Sequence, residues 1–232
     1  MNIHSFSFNL FQVHTVVAWQ KAPDCIVVDP GFYTEDEKAE FFAFLSSEKF
    51  RPSAILLTHA HIDHIYGVIP ILNAFGRIPV YMDDKEMANI GYAAEAAGKF
   101  GMRAPSCSFA TTPVYDGGTI EHAGMRFEVI STPGHAPGAV CYLERDEKLM
   151  FTGDTLFAGT IGRSDLRFGE YDRLIESVME KLIILPGDIT IIPGHGREST
   201  IGWERTHNPF LEPFNEPEEE IDPDAPPIII HR

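Results

Sequence analysis

The sequence predicts an α+β fold in which β-sheets are covered by helices. Three observations support this prediction. Strand-like and helix-like segments alternate in both halves of the 232-residue chain, and such alternation is typical of sheets with helices packed on them. The composition is that of a globular protein, with 44% hydrophobic and 22% charged residues. Polar residues with ligand chemistry recur directly after the strand-like segments, which is where a rigid scaffold can hold them.

The first half of the chain predicts two strands, a helix, a third strand, and then two further helices on either side of a fourth strand. The segments "FQVHTVVAW" and "CIVVDPG" are apolar and β-branched and flank the turn-like "QKAPD", which predicts a hairpin. Thr34 and Glu37 have the spacing of a capping box, so a helix is expected over "EDEKAEFFAFLSS". The segments "SAILLTH" and "IPVYM" predict buried strands. Helices are expected at about 65–75 and at 84–99.

The second half predicts more strands, one long helix and a separate tail. The segments "FEVISTPG", "AVCYLE", "KLMFTGD" and "ITIIPGHG" predict strands, and "YDRLIESVMEKLIIL" has helical periodicity. Residues 212–232 hold seven acids, one arginine and five prolines. We therefore expect a single domain over 1–211 and an acidic, Pro-rich tail over 212–232. The tail could pair two chains as a homodimer through its β-prone "PPIIIHR", or be a disordered end.

Charge and cysteine usage narrow the class of protein. The formal net charge is −16, which disfavours nucleic acid and anionic membranes as partners because both bind mainly Lys and Arg. No apolar run approaches the roughly 20 residues of a membrane span, and the N-terminus has no signal-peptide pattern. Cys25, Cys107 and Cys141 are odd in number and form no CxxC motif. A cytoplasmic location is expected.

Histidines and aspartates cluster behind the predicted strands. The segment "LLTHAHIDHIYG" follows one strand and holds His59, His61, Asp63 and His64. In an extended segment His59 and His61 share one face. We expect Asp63 to continue that alternation and His64 to break it and turn towards a second centre. The remaining candidates also follow predicted strands. Asp29 follows an earlier strand, and three later strands are followed by His135, Asp154 and His195.

The chemistry of this set indicates a catalytic metal site. Imidazole and carboxylate ligands suit Zn, Fe or Mn, and the set contains no thiolate of the kind that structural zinc sites use. It also holds too many ligands for one tetrahedral ion. A surface or packing role would explain a single HxH or a lone "PGHG", but not their joint occurrence. The other five histidines are interpreted as surface or packing residues, namely His4, His14, His122, His207 and His231.

The motifs "THAHIDHIYG", "STPGHAPGAV", "FTGDTLF", "IIPGHG" and "VVDPG" resemble the metal-binding segments of the metallo-β-lactamase superfamily, in its order. The resemblance covers roughly Val13 to Leu211. It implies an αββα sandwich of two mixed β-sheets flanked by helices, with two metals at one edge. Carried over residue by residue, the resemblance implies His59, His61 and His135 at one metal, Asp63, His64 and His195 at the other, Asp154 as their bridge and Asp29 as an orienting partner.

Within the superfamily, "GDTLFAGTIGRSDL" and "PGHGRESTIGWERTHNPFL" resemble the short, single-domain bacterial branch of glyoxalase II, the hydroxyacylglutathione hydrolases. The resemblance implies two divalent ions, zinc first with iron or manganese as alternatives, and a small-molecule thioester substrate. A metal-bridging hydroxide would cleave a hydroxyacyl thioester of the S-lactoylglutathione type. Asp63 would orient it or move its proton. Arg163 would contact a substrate carboxylate, or pair with Asp165 or Glu170 instead.

These motifs are also compatible with other functions. "GRSDL" also resembles a loop of the mononuclear iron persulfide dioxygenases of the same fold, although "PGHG" favours a hydrolase. A lactonase or another ester hydrolase is a further alternative. A non-catalytic scaffold that acts through its tail would be expected to lack ligands, and none is missing. Neither the thiol carrier nor the acyl group follows from these motifs.

Overall fold

Two six-stranded sheets form the centre of the computed structural model of the protein, and helices lie on the outer face of each. The structure describes residues 1–214. The predicted αββα sandwich of two mixed sheets is confirmed. Within this described part, no helix is long and apolar enough to cross a membrane. The predicted tail lies outside it from residue 215 onward, so pairing through that tail stays a prediction.

The first sheet contains six strands in chain order. These are β1 (Asn2–Phe8), β2 (Val13–Trp19), β3 (Asp24–Val28), β4 (Arg51–Leu56), β5 (Val80–Met82) and β6 (Thr112–Pro113). The pairs β1–β2 and β2–β3 are antiparallel, whereas β3 to β6 run parallel. The predicted hairpin between the second and third strands is confirmed. Because β3 and β4 are parallel neighbours, the loops that follow them emerge at the same edge of the sheet.

The second sheet is built from the second half of the chain. The remaining strands are β7 (Thr119–His122), β8 (Met125–Ser131), β9 (Val140–Glu144), β10 (Leu149–Gly153), β11 (Leu156–Phe157), β12 (Thr160–Ile161), β13 (Thr190–Pro193) and β14 (Ser199–Thr200). The sheet order is β14-β13-β10-β9-β8-β7, and β11 with β12 forms a separate small hairpin. Only β10 and β13 pair in parallel in this sheet as described, so their following loops also share one edge.

Six α-helices complete the described fold, and the first of them begins where the sequence predicts. They are α1 (Glu35–Glu48), α2 (Ile62–Ile65), α3 (Val68–Phe75), α4 (Met87–Lys99), α5 (Tyr171–Ser177) and α6 (Ile201–His207). The Thr34 hydroxyl accepts from the backbone N–H of Glu37 at 3.2 Å, and the Glu37 carboxylate accepts from that of Thr34 at 2.9 Å. The predicted capping box is therefore confirmed.

Three apolar layers hold the sandwich together, and β2 shows how alternation along a strand builds them. Val17 packs into the layer between the first sheet and its helices, together with Phe41 of α1. Its neighbours Val16 and Ala18 face the other way, into the layer between the two sheets. Leu174 of α5 belongs to the third layer, which covers the outer face of the second sheet. Successive side chains of a strand point to opposite faces, so a strand between two layers is apolar throughout.

Two elements differ from the sequence-based expectation. β1 was not predicted, although Phe6 and Phe8 alternate with serines and both are buried. The long predicted helix that starts at Tyr171 is α-helical only to Ser177 and continues as a π-helical turn over Val178–Leu182. Buried Val178 and Leu182 still face the apolar layer, so the sequence periodicity reflects burial more than hydrogen-bond type.

The two sheets are joined by direct hydrogen bonds close to the edge where the ligand-bearing loops emerge. The backbone N–H of Val140 in β9 donates to the carbonyl of Thr58 at 2.9 Å. The buried hydroxyl of Tyr142 donates to the carbonyl of Leu57 at 2.8 Å. Both acceptors lie in the segment that leads from β4 into His59. The first ligand loop is thereby fixed relative to the second sheet.

Candidate metal centre

The segment from His59 to His64 changes from extended to helical conformation within six residues. His61 has extended backbone angles, φ −64° and ψ 151°, and α2 starts at Ile62. Asp63 and His64 therefore occupy the first turn of a helix, where the N–H of His64 bonds the carbonyl of His61 at 3.0 Å. The expectation that Asp63 continues the extended alternation is wrong. The change of conformation, rather than the alternation, separates Asp63 from the first two histidines.

Three imidazoles converge at one side of the site. His59 Nε2 and His61 Nδ1 are 3.0 Å apart, and His135 Nε2 lies 2.9 Å from the same His61 nitrogen. Every ring is buried or nearly so. Three ring nitrogens that face one point at this spacing cannot all be satisfied by each other, because a neutral imidazole has one donor and one acceptor. The arrangement matches a three-histidine metal site.

Asp63, His64 and His195 form a second group beside the first. Asp63 Oδ2 lies 3.3 Å from His195 Nε2 and 3.6 Å from His64 Nε2. This separation follows from the fold, since α2 supplies the first two side chains and the loop after β13 supplies the third. The three donor atoms lie within 4.8 Å of one another, which is the spread expected of ligands around one ion.

Asp154 lies between the two groups and contacts both. Its Oδ1 is 3.6 Å from His64 Nε2, and its Oδ2 is 3.5 Å from His135 Nε2 and from His195 Nε2. Asp154 follows β10 directly and is the position that the resemblance implies for a bridging ligand. One carboxylate that contacts both groups is suited to join two cations.

Two orphaned polar atoms show that the site fits a metal ion. His64 Nε2 and Asp154 Oδ1 are both buried and neither has a hydrogen-bond partner, whereas His64 Nδ1, which also makes no hydrogen bond, lies 3.0 Å from the Asp29 carboxylate. A buried polar group without a partner costs about 1–3 kcal/mol, and such groups are rare in folded proteins. A cation coordinated at both atoms removes this cost. The donor set is entirely imidazole and carboxylate, which Zn, Fe and Mn all accept.

Two rings of the three-histidine group are held in the neutral form. Burial, together with the neighbouring His135, lowers the pKa of His61 to about 3. Burial also holds the pKa of His59 well below its usual value. These rings therefore stay uncharged at neutral pH and present lone pairs, which is the form that binds a metal.

The second group has the opposite electrostatics. Burial opposes a charge on His64, but the carboxylates of Asp63, Asp29 and Asp154 outweigh it and raise the pKa of His64 to about 9. Burial likewise opposes a charge on His195, and Asp154 and Asp63 raise its pKa to about 11. The carboxylates make this half of the site a place where positive charge is stabilised. The same field favours a bound metal cation.

Comparison with known proteins agrees with this geometry. The sequence pattern of the metallo-β-lactamase superfamily matches residues 9–195, which include every candidate ligand. The chain belongs to the metallo-β-lactamase superfamily. The protein is therefore a metal-dependent hydrolase, and its His/Asp groups fit a dinuclear metal site.

Proteins similar to this chain include one named hydrolase and two proteins of known structure. The hydroxyacylglutathione hydrolase GloC of Haemophilus influenzae is 33% identical over 214 residues, which is 91% of this chain and 98% of the relative. The BLEG-1 B3 metallo-β-lactamase has a TM-score of 0.83 at 33% identity, over 90% of this chain and 99% of its own. TTHA1623, solved in a di-iron-bound form, has a TM-score of 0.80 at 32% identity and covers 90% and 100%.

Hydrogen bonds behind the ligands fix the tautomers in this metallo-β-lactamase fold. His135 Nδ1 lies 2.7 Å from the carbonyl of Arg163, and His195 Nδ1 lies 2.8 Å from that of Phe11. A carbonyl can only accept, so in each ring Nδ1 carries a proton and Nε2 is the nitrogen left to bind a metal. Such outer partners orient ligand rings and raise their basicity. Neither carbonyl could be identified from sequence, because each pairing joins distant segments.

Asp29 occupies the orienting position that the resemblance implies. Its Oδ2 lies 3.0 Å from His64 Nδ1 and accepts from the hydroxyl of Thr58 at 2.7 Å. Its Oδ1 accepts from the backbone N–H of Thr58 at 2.8 Å. Asp29 therefore fixes the His64 ring and the entry to the first ligand loop together. Its backbone has φ 46°, so the turn after β3 is strained to place this carboxylate.

Two glycines of the signature motifs leave room for the ligands. A Cβ on Gly194 would lie 2.3 Å from Asp154 Oδ1 and 2.9 Å from His64 Cε1. A Cβ on Gly162 would lie 1.9 Å from the Asp154 carbonyl oxygen. Both distances are far inside van der Waals contact. Gly194 of "PGHG" and Gly162 of the loop after "GDTLF" are therefore required by close packing at the centre.

Glu86 is a functional residue that the sequence did not indicate. Its side chain is fully buried. Oε2 accepts from the backbone N–H of Ala60, between His59 and His61, at 2.7 Å, while Oε1 accepts from that of Gly138 at 2.7 Å. One carboxylate thus joins the loop that carries the first two histidines to the loop that carries His135. A Glu in a short helical turn before α4 gives no sequence signal of this role.

A cavity of about 510 Å³ opens above the ligands. Five ligands form part of its lining, and its remaining walls are largely aromatic and aliphatic, with cations towards solvent. The lining includes Phe11, Ile62, Asn89, Tyr92, Ala96, Lys99, Phe100, Phe157, Arg163, Asp165, Leu166 and Arg167. Arg163 reaches this cavity, but its guanidinium makes two 2.8 Å hydrogen bonds to the Asp165 carboxylate. The ion pair considered from sequence is formed, and contact of Arg163 with substrate stays a prediction.

Proposed function

We propose that this protein is a dinuclear metal-dependent hydrolase of hydroxyacyl thioesters, of the S-lactoylglutathione type. The observation that carries the proposal is the convergence of seven His and Asp ligands in overlapping groups, five of which line the floor of one cavity. The end-to-end similarity to a hydroxyacylglutathione hydrolase supports the thioester as substrate. Zinc is our first choice of metal, with iron or manganese as alternatives.

Two divalent ions at this site would supply a nucleophilic hydroxide near neutral pH and polarise the acyl oxygen. His59, His61 and His135 would hold one ion, Asp63, His64 and His195 the other, and Asp154 would contact both. The chain's own residues provide the rest. Asp63 lies at the cavity surface with its carboxylate 3.3 Å from His195 Nε2. Burial alone would raise the pKa of Asp63, but the positive charge of His64 outweighs burial and the pKa is lowered. As a carboxylate it orients the attacking water and accepts its proton.

The cavity fits the remaining demands of thioester hydrolysis. Its apolar walls, which include Ile62, Phe157 and Leu166, exclude bulk water around the acyl group and so strengthen the electrostatic interactions there. A thiol has a pKa of about 8.5, so the leaving thiolate departs with little need for a general acid. The described cavity lining accordingly needs no separate proton donor for the leaving group.

The experiment is metal analysis and a substrate panel on one preparation. We expect about two divalent ions per chain, hydrolysis of S-lactoylglutathione, and little or no turnover of nitrocefin or of a simple lactone. Asp154→Asn and His135→Ala are expected to lose metal and activity together. His4→Gln, a change at an exposed position of β1 outside the cavity, is the matched control and is expected to retain both metal and activity.

The same preparation tests the alternative chemistry of the fold. One iron per chain, with oxygen consumption on glutathione persulfide and no thioester cleavage, would identify a persulfide dioxygenase and contradict the proposal. Cleavage of the lactone in preference to the thioester would identify a lactonase instead. Full metal occupancy without turnover of any of these substrates would also contradict it.

A further inference from the structure

Two cations lie around one aromatic ring at the mouth of the cavity. The guanidinium carbon of Arg167 is 4.7 Å from the centre of the Tyr92 ring, and Lys99 Nζ is 5.0 Å from the same centre. Arg167 and Lys99 are both exposed and both line the cavity whose floor carries the metal ligands. The protein as a whole is strongly acidic, so this cluster of cations has the opposite sign to the net charge of the protein.

Arg167 is held in place by aromatic contacts and keeps its hydrogen-bonding capacity. Its guanidinium lies over Tyr92 and also 5.2 Å from the centre of the Phe168 ring. Tyr92 and Phe168 meet edge to face, with an interplanar angle of 82°. Among residues 1–211, whose side chains the structure describes, no carboxylate lies within ion-pair distance of Arg167. Stacking orders the guanidinium while leaving its N–H edge free for a planar anion.

The neighbouring cation at Arg163 does not have this freedom, because Asp165 already accepts from it with both oxygens. Lys99 is intermediate. It contacts the hydroxyl of Tyr92 and lies 3.6 Å from the carboxylate of Glu95, in an exposed pair. Exposed pairs of this kind are weak, so Lys99 can exchange its partner for a ligand. Arg167 is the principal free cation and Lys99 the second.

Helix α4 supplies Tyr92 and Lys99 to this cluster. Asn89, Tyr92, Ala96 and Lys99 all line the cavity, and their spacing of three and four residues puts them on one face of the helix. Asn89 at the start of that face donates to Glu86 at 2.9 Å, and Glu86 holds the metal-ligand loops. The face therefore leads from the ligand loops to the cations at the rim.

We propose that Arg167, stacked on Tyr92 and supported by Lys99, binds a carboxylate of the thiol half of the substrate. This inference rests on the proposed thioester hydrolysis. The reacting acyl carbon must lie at the ligands on the floor, and a hydroxyacyl group is small beside a cavity of about 510 Å³. The part of the substrate that reaches the rim is then the thiol carrier. The chemical class selected is a thioester of a carboxylate-bearing thiol.

A matched pair of substrates tests this proposal on the metal-loaded enzyme. S-lactoyl-N-acetylcysteine carries one carboxylate on the thiol half, and its methyl ester carries none. We expect the wild-type protein to have the lower KM for the acid. Arg167→Gln should raise that KM about tenfold, which corresponds to about 1.4 kcal/mol, with kcat and the ester's KM changed less than twofold. Lys99→Gln should act in the same direction with a smaller effect.

Arg126→Gln is the matched control. Arg126 is an exposed arginine on β8 that pairs with Glu121 and does not line the cavity, so its substitution should change neither KM. Equal KM values of the wild-type protein for the acid and the ester would overturn the proposal. Equal KM increases for the two substrates in Arg167→Gln would do the same.

A binding measurement separates this proposal from the proposed function. S-methylglutathione carries two carboxylates and has no thioester to cleave. We expect it to bind the metal-loaded wild-type protein in calorimetry and to bind Arg167→Gln about tenfold more weakly. If no thioester is hydrolysed but this difference is found, the function fails and the carboxylate site stands. If thioesters are hydrolysed and both proteins bind S-methylglutathione equally, the carboxylate site fails alone.

Discussion

At the scale of single residues, the centre is built from donors whose orientation is set by a second partner. His64 is the clearest case, since its Nδ1 faces Asp29 and its Nε2 faces the carboxylates of Asp63 and Asp154. The ring cannot rotate without losing the Asp29 contact. Asp29 in turn is fixed by two hydrogen bonds from Thr58. The ligand geometry is therefore held before any metal binds.

Substitution of Asp29 tests this pre-orientation. Asp29→Asn retains the shape but replaces one acceptor oxygen with a donor, so it conflicts with the Thr58 donors or with His64. Loss of an outer partner typically lowers metal affinity about 10–100-fold. We expect that loss in competition titrations with a chromogenic chelator. Asp24→Asn, at the exposed start of β3, is the control, and equal affinities of the two variants would contradict the role given to Asp29.

Gly194→Ala tests the close packing at the metal centre. The added methyl would meet Asp154 Oδ1 at 2.3 Å, so we expect metal occupancy to fall at the position that Asp154 contacts. Gly91→Ala is the matched control, because a Cβ at Gly91 meets no atom within 4 Å and Gly91 lies inside α4. That change should stabilise the helix by about 0.5–1 kcal/mol. Inductively coupled plasma analysis and thermal melting measure both effects.

At the scale of elements, loops that follow neighbouring strands are joined by buried polar groups rather than by apolar packing. Glu86 links the loop after β4 to the loop after β8 through backbone N–H groups. Burial raises its pKa, which the hydrogen bonds from Asn89, Ala60 and Gly138 oppose. A carboxylate with this many donors is satisfied although it is buried. The link sets the distance between the HxH loop and His135.

Glu86→Gln is expected to weaken that link. The amide nitrogen would face a backbone N–H, which leaves a buried donor unsatisfied at a cost of about 1–3 kcal/mol, or a drop in Tm of about 2–12 °C. Metal affinity should fall with it because His59, His61 and His135 lose their common support. Asp84→Asn lies two residues away on the exposed side of the same turn and should change neither quantity. A fall in Tm without any loss of metal affinity would limit Glu86 to a purely structural role.

The elements also show which local patterns were sufficient for prediction. The capping box at Thr34 identified the start of α1, because the pattern is local to four residues. The extended path predicted through Asp63 was wrong, since α2 starts one residue earlier. β1 was missed although Phe6 and Phe8 are buried. Short helices and edge strands depend on what packs against them, and a local pattern cannot report that.

At the scale of the whole molecule, the metal centre connects the two sheets. His59, His61, Asp63 and His64 come from the loop that follows β4 of the first sheet, whereas His135, Asp154 and His195 follow strands of the second sheet. Each ligand group contains residues from both sheets. Metal binding is therefore coupled to the packing of the sandwich at this edge.

Removal of metal should accordingly destabilise the fold. A ligand that binds only the native state stabilises it by about 2.7 kcal/mol at 100 times its Kd, which corresponds to about 5–11 °C in Tm for a protein of this size. We expect dialysis against a chelator to lower Tm by that order and re-addition of Zn²⁺ to restore it. Asp154→Asn should show a smaller response to metal. An unchanged Tm on complete metal removal would show that the sandwich edge is held without the ions.

The sequence by itself determined the superfamily and the candidate ligands, because donor chemistry and position after a strand are local properties of motifs such as "THAHIDH" and "PGHG". Only the tertiary structure decided how those donors are supported and which cation is free. Glu86 reaches Ala60 and Gly138, and Arg167 stacks on Tyr92 from 75 positions away. Contacts between distant segments depend on how the sheets and helices pack, and no local pattern encodes that geometry.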